Sequence, residues 1–317
     1  MKPDSVRGIK AELAAEVIAQ AGDSIAARSF FEASRPPTPE DVALGIAKRA
    51  DGEHVLAIRT EHPAIADRIA ARARGEVDVR ILRVERRADP YFSARRRPLE
   101  PGAQIGMAGR NFVGTLGAIV RDVGGGTVRY GLTNAHVAAD QGKASPGHRI
   151  GQPFGLNEAD YVGLLARFLP YSLTVPNLVD AAIFRLDRTE VLPRWNAAVG
   201  GDLRGVRTLG PEDLGRTVRK VGRTTGAQVG TVTAVEVDGL PVAMDAGTPR
   251  FDDQNEFTGG PATDFSAGGD SGSLIVDDEG YGVALLFAGG RDRTGQDFTY
   301  GNRLANVLRL LAVELAL

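Results

Sequence analysis

The spacing of hydrophobic and polar positions changes partway along this chain. Over residues 5–21, Val6, Ile9, Leu13, Val17 and Ile18 recur at helical intervals, which predicts an amphipathic helix. A second short helix is expected around Ile25–Ala33, before Arg35-Pro36-Pro37-Thr38-Pro39 breaks the chain. D-V-A-L-G-I-A-K and H-V-L-A-I-R-T flank Asp51-Gly52 and predict a hairpin. A helix over His62–Arg74, stopped by Gly75, and the alternating strand E-V-D-V-R-I-L-R-V complete a β-hairpin–α–β set. Residues 1–88 are therefore expected to form a small α+β module, at about 85 residues large enough to fold alone. Residues 89–104, rich in Pro and Arg, read as a linker, with Arg95-Arg96-Arg97 as a solvated, exposed segment.

From Gly114 onward the pattern becomes short apolar or alternating runs between Gly, Asp and Pro turns. G-T-L-G-A-I-V, T-V-R-Y-G-L, V-G-L-L-A-R-F, D-A-A-I-F-R-L, Q-V-G-T-V-T-A-V-E-V, S-L-I-V and G-V-A-L-L-F are examples. Such a series predicts an all-β sandwich or a pair of barrels. The closing N-R-L-A-N-V-L-R-L-L-A-V-E-L predicts an amphipathic helix.

Composition sharpens the boundary between the two regions. Of 40 glycines, only Gly8, Gly22, Gly45, Gly52 and Gly75 precede residue 101, so 40 − 5 = 35 fall in the other 217 positions. Turns that need positive φ are thus concentrated in the β-rich part. At 43% hydrophobic and 25% charged residues the chain can build a sizeable core, which excludes disordered, collagenous and coiled-coil readings. A net charge of −2 gives neither region the basic balance of a nucleic-acid-binding domain. The absence of cysteine excludes disulfide scaffolds, zinc–thiolate sites and thiol nucleophiles. No run of 18 apolar residues is present, and charges at Asp4, Arg7, Lys10, Glu12 and Glu16 interrupt any signal-peptide core. A cytoplasmic protein that engages no membrane is the expectation.

Three segments carry candidate chemistry. L-T-N-A-H-V-A-A-D places His136 just after a strand, P-N-L-V-D-A-A-I-F-R-L places Asp180 at the mouth of an apolar strand, and F-S-A-G-G-D-S-G-S-L-I-V places Ser271 between glycine-bearing turns and a strand. A serine hydroxyl needs an adjacent base to become a nucleophile, histidine can take its proton near neutral pH, and a carboxylate can orient the imidazole. Asp140, Asp160 and Asp187 compete with Asp180 for the last role; the D-A-A-I-F-R-L context favours Asp180.

These segments resemble the motifs of the chymotrypsin-like (trypsin-fold) serine proteases. T-N-A-H-V resembles the histidine motif of bacterial HtrA-type members and G-G-D-S-G-S the nucleophile motif. K-V-G-R-T-T-G-A-Q-V-G-T-V resembles the opening strands of the second barrel in streptogrisins and lytic endopeptidases. The resemblance spans about residues 105–312, and it implies a double six-stranded β-barrel over 105–317, behind the α+β module. It also implies a serine endopeptidase acting on protein or peptide substrates without cofactor or metal. Carried onto this chain, Ser271 is nucleophile, His136 general base and acid, and Asp180 its orienter. The backbone N–H groups of Gly269 and Ser271 form the oxyanion hole. Asp270 is a buried partner shaping the oxyanion loop, while Arg223, Thr224 and Thr225 support the second barrel. Ungapped alignment puts Phe265 at the base of the pocket for the residue before the scissile bond. Phe287, Ala288 and Gly289 form a wall that pairs with extended substrate. Ser273 stands where many relatives have glycine, Val137 where animal members have cysteine, and no PDZ-like domain follows the barrel.

Other readings stay open or fall. A nucleophile-elbow hydrolase needs a histidine after its serine, and none of the 46 residues beyond Ser271 is one. No H-E-x-x-H cluster supports metal-dependent hydrolysis. A catalytically silent binding protein on a protease fold, or a protein that cleaves itself once near Arg95–Pro98, remains an alternative. The N-terminal module is open between inhibitory pro-region, domain recruiting a regulatory partner, and stabilising appendage.

Overall fold

The computed structural model describes residues 1–21, 42–60, 63–73, 75–83, 92–110, 112–153, 157–187, 191, 195–196, 200–245, 247–260, 263–292 and 296–317. The short helix expected around 25–33 and the start of the linker lie outside them. The first region contains α1 (Pro3–Ala21), β1 (Val42–Lys48), β2 (His54–Thr60), α2 (Pro63–Arg72) and β3 (Val77–Arg83). This is the hairpin–α–β order that the periodicity predicts. β1 and β2 are antiparallel, and β2 and β3 parallel across the α2 crossover.

Two sheets carry the rest. The first curls in the order β17-β6-β7-β10-β9-β8-β4-β5. Its strands are β4 (Gln104–Met107), β5 (Val113–Thr115), β6 (Ala118–Asp122), β7 (Tyr130–Thr133), β8 (Arg149–Gly151), β9 (Tyr161–Phe168), β10 (Ala182–Leu186) and β17 (Val313–Leu315). The second contains a closed ring of six. Its members are β11 (Thr217–Gly222), β12 (Gly226–Asp238), β13 (Gln254–Gly259), β14 (Leu274–Asp277), β15 (Tyr281–Asp292) and β16 (Asp297–Arg303), and β15 pairs with both β14 and β16. The protein is mainly β and built on two barrel-like sheets, of which only the second closes through strand ladders.

The first region is stitched into the second sheet. β12 pairs with β11 over its first half, and β1 takes the same edge where β11 ends, with Leu44 opposite Asp238 and Ala47 opposite Ala234. β3 likewise follows β14 on the edge of β15, with Leu82 opposite Asp292. One core fills both parts: Leu44, Ile46, Leu56, Ile58 and Ile65 share a buried cluster with Val218, Val232, Phe257, Phe265, Ile275 and Val283. From the predicted linker, Phe92 and Leu99 are also buried. The Arg96 N–H and the Arg97 guanidinium both donate to Gln152 Oε1, at 2.8 and 2.6 Å. Arg96 and Arg97 are thus half-buried and tied to the first sheet, unlike the solvated segment expected there.

The C-terminal segment departs from its predicted single helix. α4 (Leu304–Leu311) buries Leu304, Val307, Leu308 and Leu311. Ala312 then turns left-handed at φ 54°, and Val313–Leu315 form β17 against β6. The apolar periodicity of Val313 and Leu315 fits a strand as well as a helix, and the pairing with β6 decides it. α4 lies over a cluster drawing Ala118, Val120 and Leu132 from the first sheet and Leu274, Val276 and Leu285 from the second. That shared cluster holds the two sheets in fixed register at the site.

A buried ion pair joins the N-terminal strands to the ring. Arg59 on β2 donates to Glu256 on β13 through Nε at 2.5 Å and Nη2 at 2.9 Å, and both side chains are fully buried. Asp78 caps the same guanidinium at 2.7 Å, and Tyr300 Oη donates to Glu256 at 2.9 Å. Burial alone would raise the Glu256 pKa, but Arg59 and Arg80 outweigh it and hold it at about 2, against an ordinary 4.5. A carboxylate with a depressed folded-state pKa stabilises the fold above its unfolded value and loses that contribution as pH falls. We therefore expect on the order of 3 kcal/mol of stability to drain away between about pH 4.5 and 2. Urea melts of the wild type and Glu256→Gln across pH 7 to 3 test this. The variant should be weaker at neutral pH and show a flatter acid limb, and parallel limbs would refute the assignment.

Candidate active site

The first sheet supplies a histidine and a carboxylate. β7 ends at Thr133, and a four-residue helix, α3 (Ala135–Ala138), follows directly. Ala135, Val137 and Ala138 are buried on this turn, which leaves His136 as its accessible member with 22% of its side chain exposed. Asp180 precedes β10 and is fully buried. Its Oδ2 lies 2.5 Å from His136 Nδ1. Its Oδ1 accepts the Ala135 N–H at 2.7 Å, the His136 N–H at 3.2 Å and the Tyr171 hydroxyl at 2.7 Å. The Asp180 main chain is fixed as well, since its carbonyl accepts from Asn134 Nδ2 and its N–H donates to Asn302 Oδ1. A carboxylate facing Nδ1 can only accept, so Nδ1 carries a proton and the neutral ring presents Nε2 as an acceptor. Burial and the Asp180 charge together push the Tyr171 pKa well above its ordinary value, keeping the hydroxyl a donor.

The second sheet supplies the serine. Ser271 stands on the turn before β14, half-exposed between buried Asp270 and buried Gly272. Gly269 and Gly272 have φ of +102° and +92°, which L residues with a side chain rarely adopt. A Cβ on Gly272 would lie 2.3 Å from both Thr115 O and Thr133 Oγ1. Turn and first sheet meet at Gly114, where an added Cβ would touch Val137 at 2.4 Å and the Ser271 carbonyl at 2.7 Å. The Thr115 N–H donates to that carbonyl at 2.7 Å. This close approach brings the histidine turn and the serine turn to one place. Within the described residues Ser271 Oγ and His136 Nε2 make no hydrogen bond, and catalytic contacts in unliganded sites are commonly long. The Gly269 and Ser271 N–H groups likewise have no acceptor among the described residues.

A buried ion pair underlies the turn. Lys220 Nζ donates to Asp270 Oδ2 at 2.7 Å, and both side chains are fully buried. The same carboxylate accepts from the N–H groups of Thr224 at 2.7 Å, Thr225 at 3.2 Å and Ala267 at 3.0 Å, and from Thr225 Oγ1 at 2.7 Å. Burial would raise the Asp270 pKa, but Lys220 and these donors hold it below the usual range. Burial pushes the Lys220 pKa down, with Asp270 opposing.

Of the residues expected to contact substrate, Ala288 and Gly289 are half-exposed. Phe287 is buried, its ring 4.8 Å from that of Phe251. Phe265 is fully buried, and its ring packs on Phe257 at 6.0 Å within the barrel core instead of facing the cleft. The side chain expected at the pocket base thus belongs to the barrel core. The next residue, Ser266, bonds Thr299 through their hydroxyls at 2.6 Å, and a Cβ on Gly289 would lie 3.2 Å from Ser266 Oγ. Small hydroxyl side chains therefore stand beside Gly289.

Sequence reasoning missed Lys220, Tyr171 and Asn302. Lys220 had a local signal: it sits at an inward position of an alternating strand, in phase with Val218. Tyr171 and Asn302 approach Asp180 only through the tertiary fold. No group of three or more His, Asp or Glu among the described residues is arranged to hold a metal ion.

No protein-family model matches this chain, and no curated protein matches it. Solved structures do. Thermobifida fusca Protease A aligns at 19% identity over 68% of this chain and 97% of its own, with a TM-score of 0.48. Cellulomonas bogoriensis chymotrypsin aligns at 20% identity over 68% and 97%, with a TM-score of 0.47. An alpha-lytic protease homolog, N4, aligns at 21% identity over 68% and 98%, with a TM-score of 0.46.

Proposed function

We propose that the chain is a serine endopeptidase. The observation that carries this reading is the buried Asp180 fixed on His136 Nδ1, beside a glycine-bounded serine turn with two N–H groups that have no acceptor among the described residues. In this scheme His136 Nε2 takes the Ser271 Oγ proton as Oγ attacks the scissile carbonyl. The oxyanion of the tetrahedral intermediate accepts from the Gly269 and Ser271 N–H groups. His136 then delivers its proton to the leaving amine. A water, deprotonated by the same imidazole, hydrolyses the acyl-enzyme and returns Ser271 to its starting state. Asp180 stays ionised throughout and stabilises the imidazolium. Phe287–Gly289 pair with extended peptide on the acyl side, while Phe265 supports this region from the core. A cytoplasmic setting belongs to the proposal, since a chain without cysteine gains nothing from an oxidising compartment.

We assign residues 1–88 the role of a stabilising appendage to the 105–317 protease domain, with 89–104 between them. The reading is supported by the β1–β12 and β3–β15 ladders and the shared core.

A fluorophosphonate probe tests the function. Wild type should label at Ser271, and labelling should vanish in Ser271→Ala and fall sharply in His136→Ala. Native, folded wild type that fails to label would leave the chain a binding protein on a protease fold.

A further inference from the structure

Several arginines that lie against the second sheet are matched to carboxylates. Arg59 binds Glu256 and Asp78, Arg207 binds Asp277 and Glu279, and Arg216 binds Asp213, Asp278 and Glu279. Arg223 differs. Among the described residues its guanidinium has no ion-pair partner, and its Nε is buried without a hydrogen-bond acceptor. The nearby carboxylate of Asp270 is already filled by Lys220, Thr224, Thr225 and Ala267. Burial lowers the Arg223 pKa and the Asp270 charge opposes it, but an arginine keeps its proton in a protein. A half-buried cation without a direct ion pair has given up part of its hydration, and the charge of Asp270, already filled by other donors, offsets only part of that cost.

Its position gives this cation a direction. Arg223 Nη1 stands 2.8 Å and Cδ 3.3 Å from where a Cβ on Gly269 would be, so the guanidinium borders the residue that offers the oxyanion N–H. The Arg223 N–H donates to Thr115 Oγ1 at 3.1 Å, and that hydroxyl donates to the Gly269 carbonyl at 3.0 Å. On the endopeptidase reading the acyl half of a bound peptide pairs with Ala288–Gly289. The half beyond the scissile bond then leaves on the opposite flank of the serine turn, where Gly269 and Thr115 are bonded together beside Ser271. Arg223 stands on that exit side.

We infer that Arg223 is a specificity-determining residue that selects peptides carrying Asp or Glu within the first two positions after the scissile bond. The inference rests on the endopeptidase reading of Ser271. Arginine suits the role because its planar fork pairs a carboxylate with two parallel hydrogen bonds.

The test is a digest of a mixed peptide library by full-length wild type, Arg223→Gln and Arg223→Glu. Each is read as the ratio of acidic residues to lysine at the two positions after each cut. Wild type should favour acidic residues by about tenfold, Arg223→Gln should bring the ratio near one, and Arg223→Glu should invert it. Molar salt should shrink the wild-type ratio and leave that of Arg223→Gln unchanged. The ratio is read within one digest, so a variant with less folded enzyme still reports its selectivity. Fluorophosphonate labelling of Ser271 runs alongside, because the probe loses only fluoride and does not need the exit side. Labelling and cleavage with the same ratio in wild type and Arg223→Gln overturn this inference alone. Neither labelling nor cleavage overturns the endopeptidase reading and this inference with it.

Discussion

Ser271→Ala lowers kcat/KM by about 10⁶-fold and Asp180→Asn by about 10⁴-fold, with the fold intact in both. In the proposed mechanism the serine substitution removes the atom that forms the acyl-enzyme, so only substrate binding and the oxyanion donors remain. The aspartate substitution acts one step removed. Asp180 Oδ1 is held by the Ala135 N–H, the His136 N–H and the Tyr171 hydroxyl, so the asparagine carbonyl takes that place and its amide group faces Nδ1. An amide donor there reverses the imidazole tautomer: Nδ1 becomes the acceptor and Nε2 the donor, and Nε2 can no longer take the serine proton. Fully buried Asp180 leaves no room for water to restore the other tautomer. Steady-state rates on the best library peptide, with far-UV circular dichroism as the fold control, measure both effects. Asp180→Asn within tenfold of wild type would remove Asp180 from the mechanism.

The fold was legible where the local pattern and the tertiary outcome agree. α1, the hairpin β1–β2, α2 and β3 follow from period and turn chemistry alone, and Gly75 and Asp51-Gly52 mark their ends. Their destination was not legible, because β1 and β3 bury their edges on β12 and β15, about two hundred residues downstream. The apolar faces of β1 and β2 read as a small core of their own when they are half of a shared one. Val313–Leu315 show the same limit at short range: alternate apolar residues next to a helix do not declare which period they obey. At the site, the glycines around Ser271 announce a turn that needs positive φ, and His136 stands out among three buried neighbours. Phe265 misleads because counting back from a motif locates a backbone position, while the side chain goes to whichever side the barrel is closing.

Lys220→Met costs about 3–5 kcal/mol of stability and, in the protein that remains folded, about 10²–10³-fold in kcat. The stability loss follows from burial. Asp270 keeps four hydrogen-bonded groups but loses the one cation paired with it among the described residues, at 0% exposure, and a buried carboxylate without its ion pair is far more expensive than the pair was favourable. The rate loss follows from geometry. Asp270 sits between Gly269 and Ser271, the two proposed oxyanion donors, and its side chain ties Ala267 on one side of the turn to Thr224 and Thr225 on the other. Without Lys220 the carboxylate must take up a proton or draw in water. Either change releases part of that tie, and donors displaced by a few tenths of an ångström no longer converge on the oxyanion. The double variant Lys220→Met/Asp270→Asn separates the two effects: deleting the orphaned charge should recover part of the stability while kcat stays low, because an amide cannot accept all the bonds that Asp270 accepts. Urea midpoints and single-turnover acylation of a fluorogenic substrate read the two quantities independently. If Lys220→Met unfolds at the wild-type urea concentration and acylates at the wild-type rate, the buried pair neither holds the turn nor supports the site.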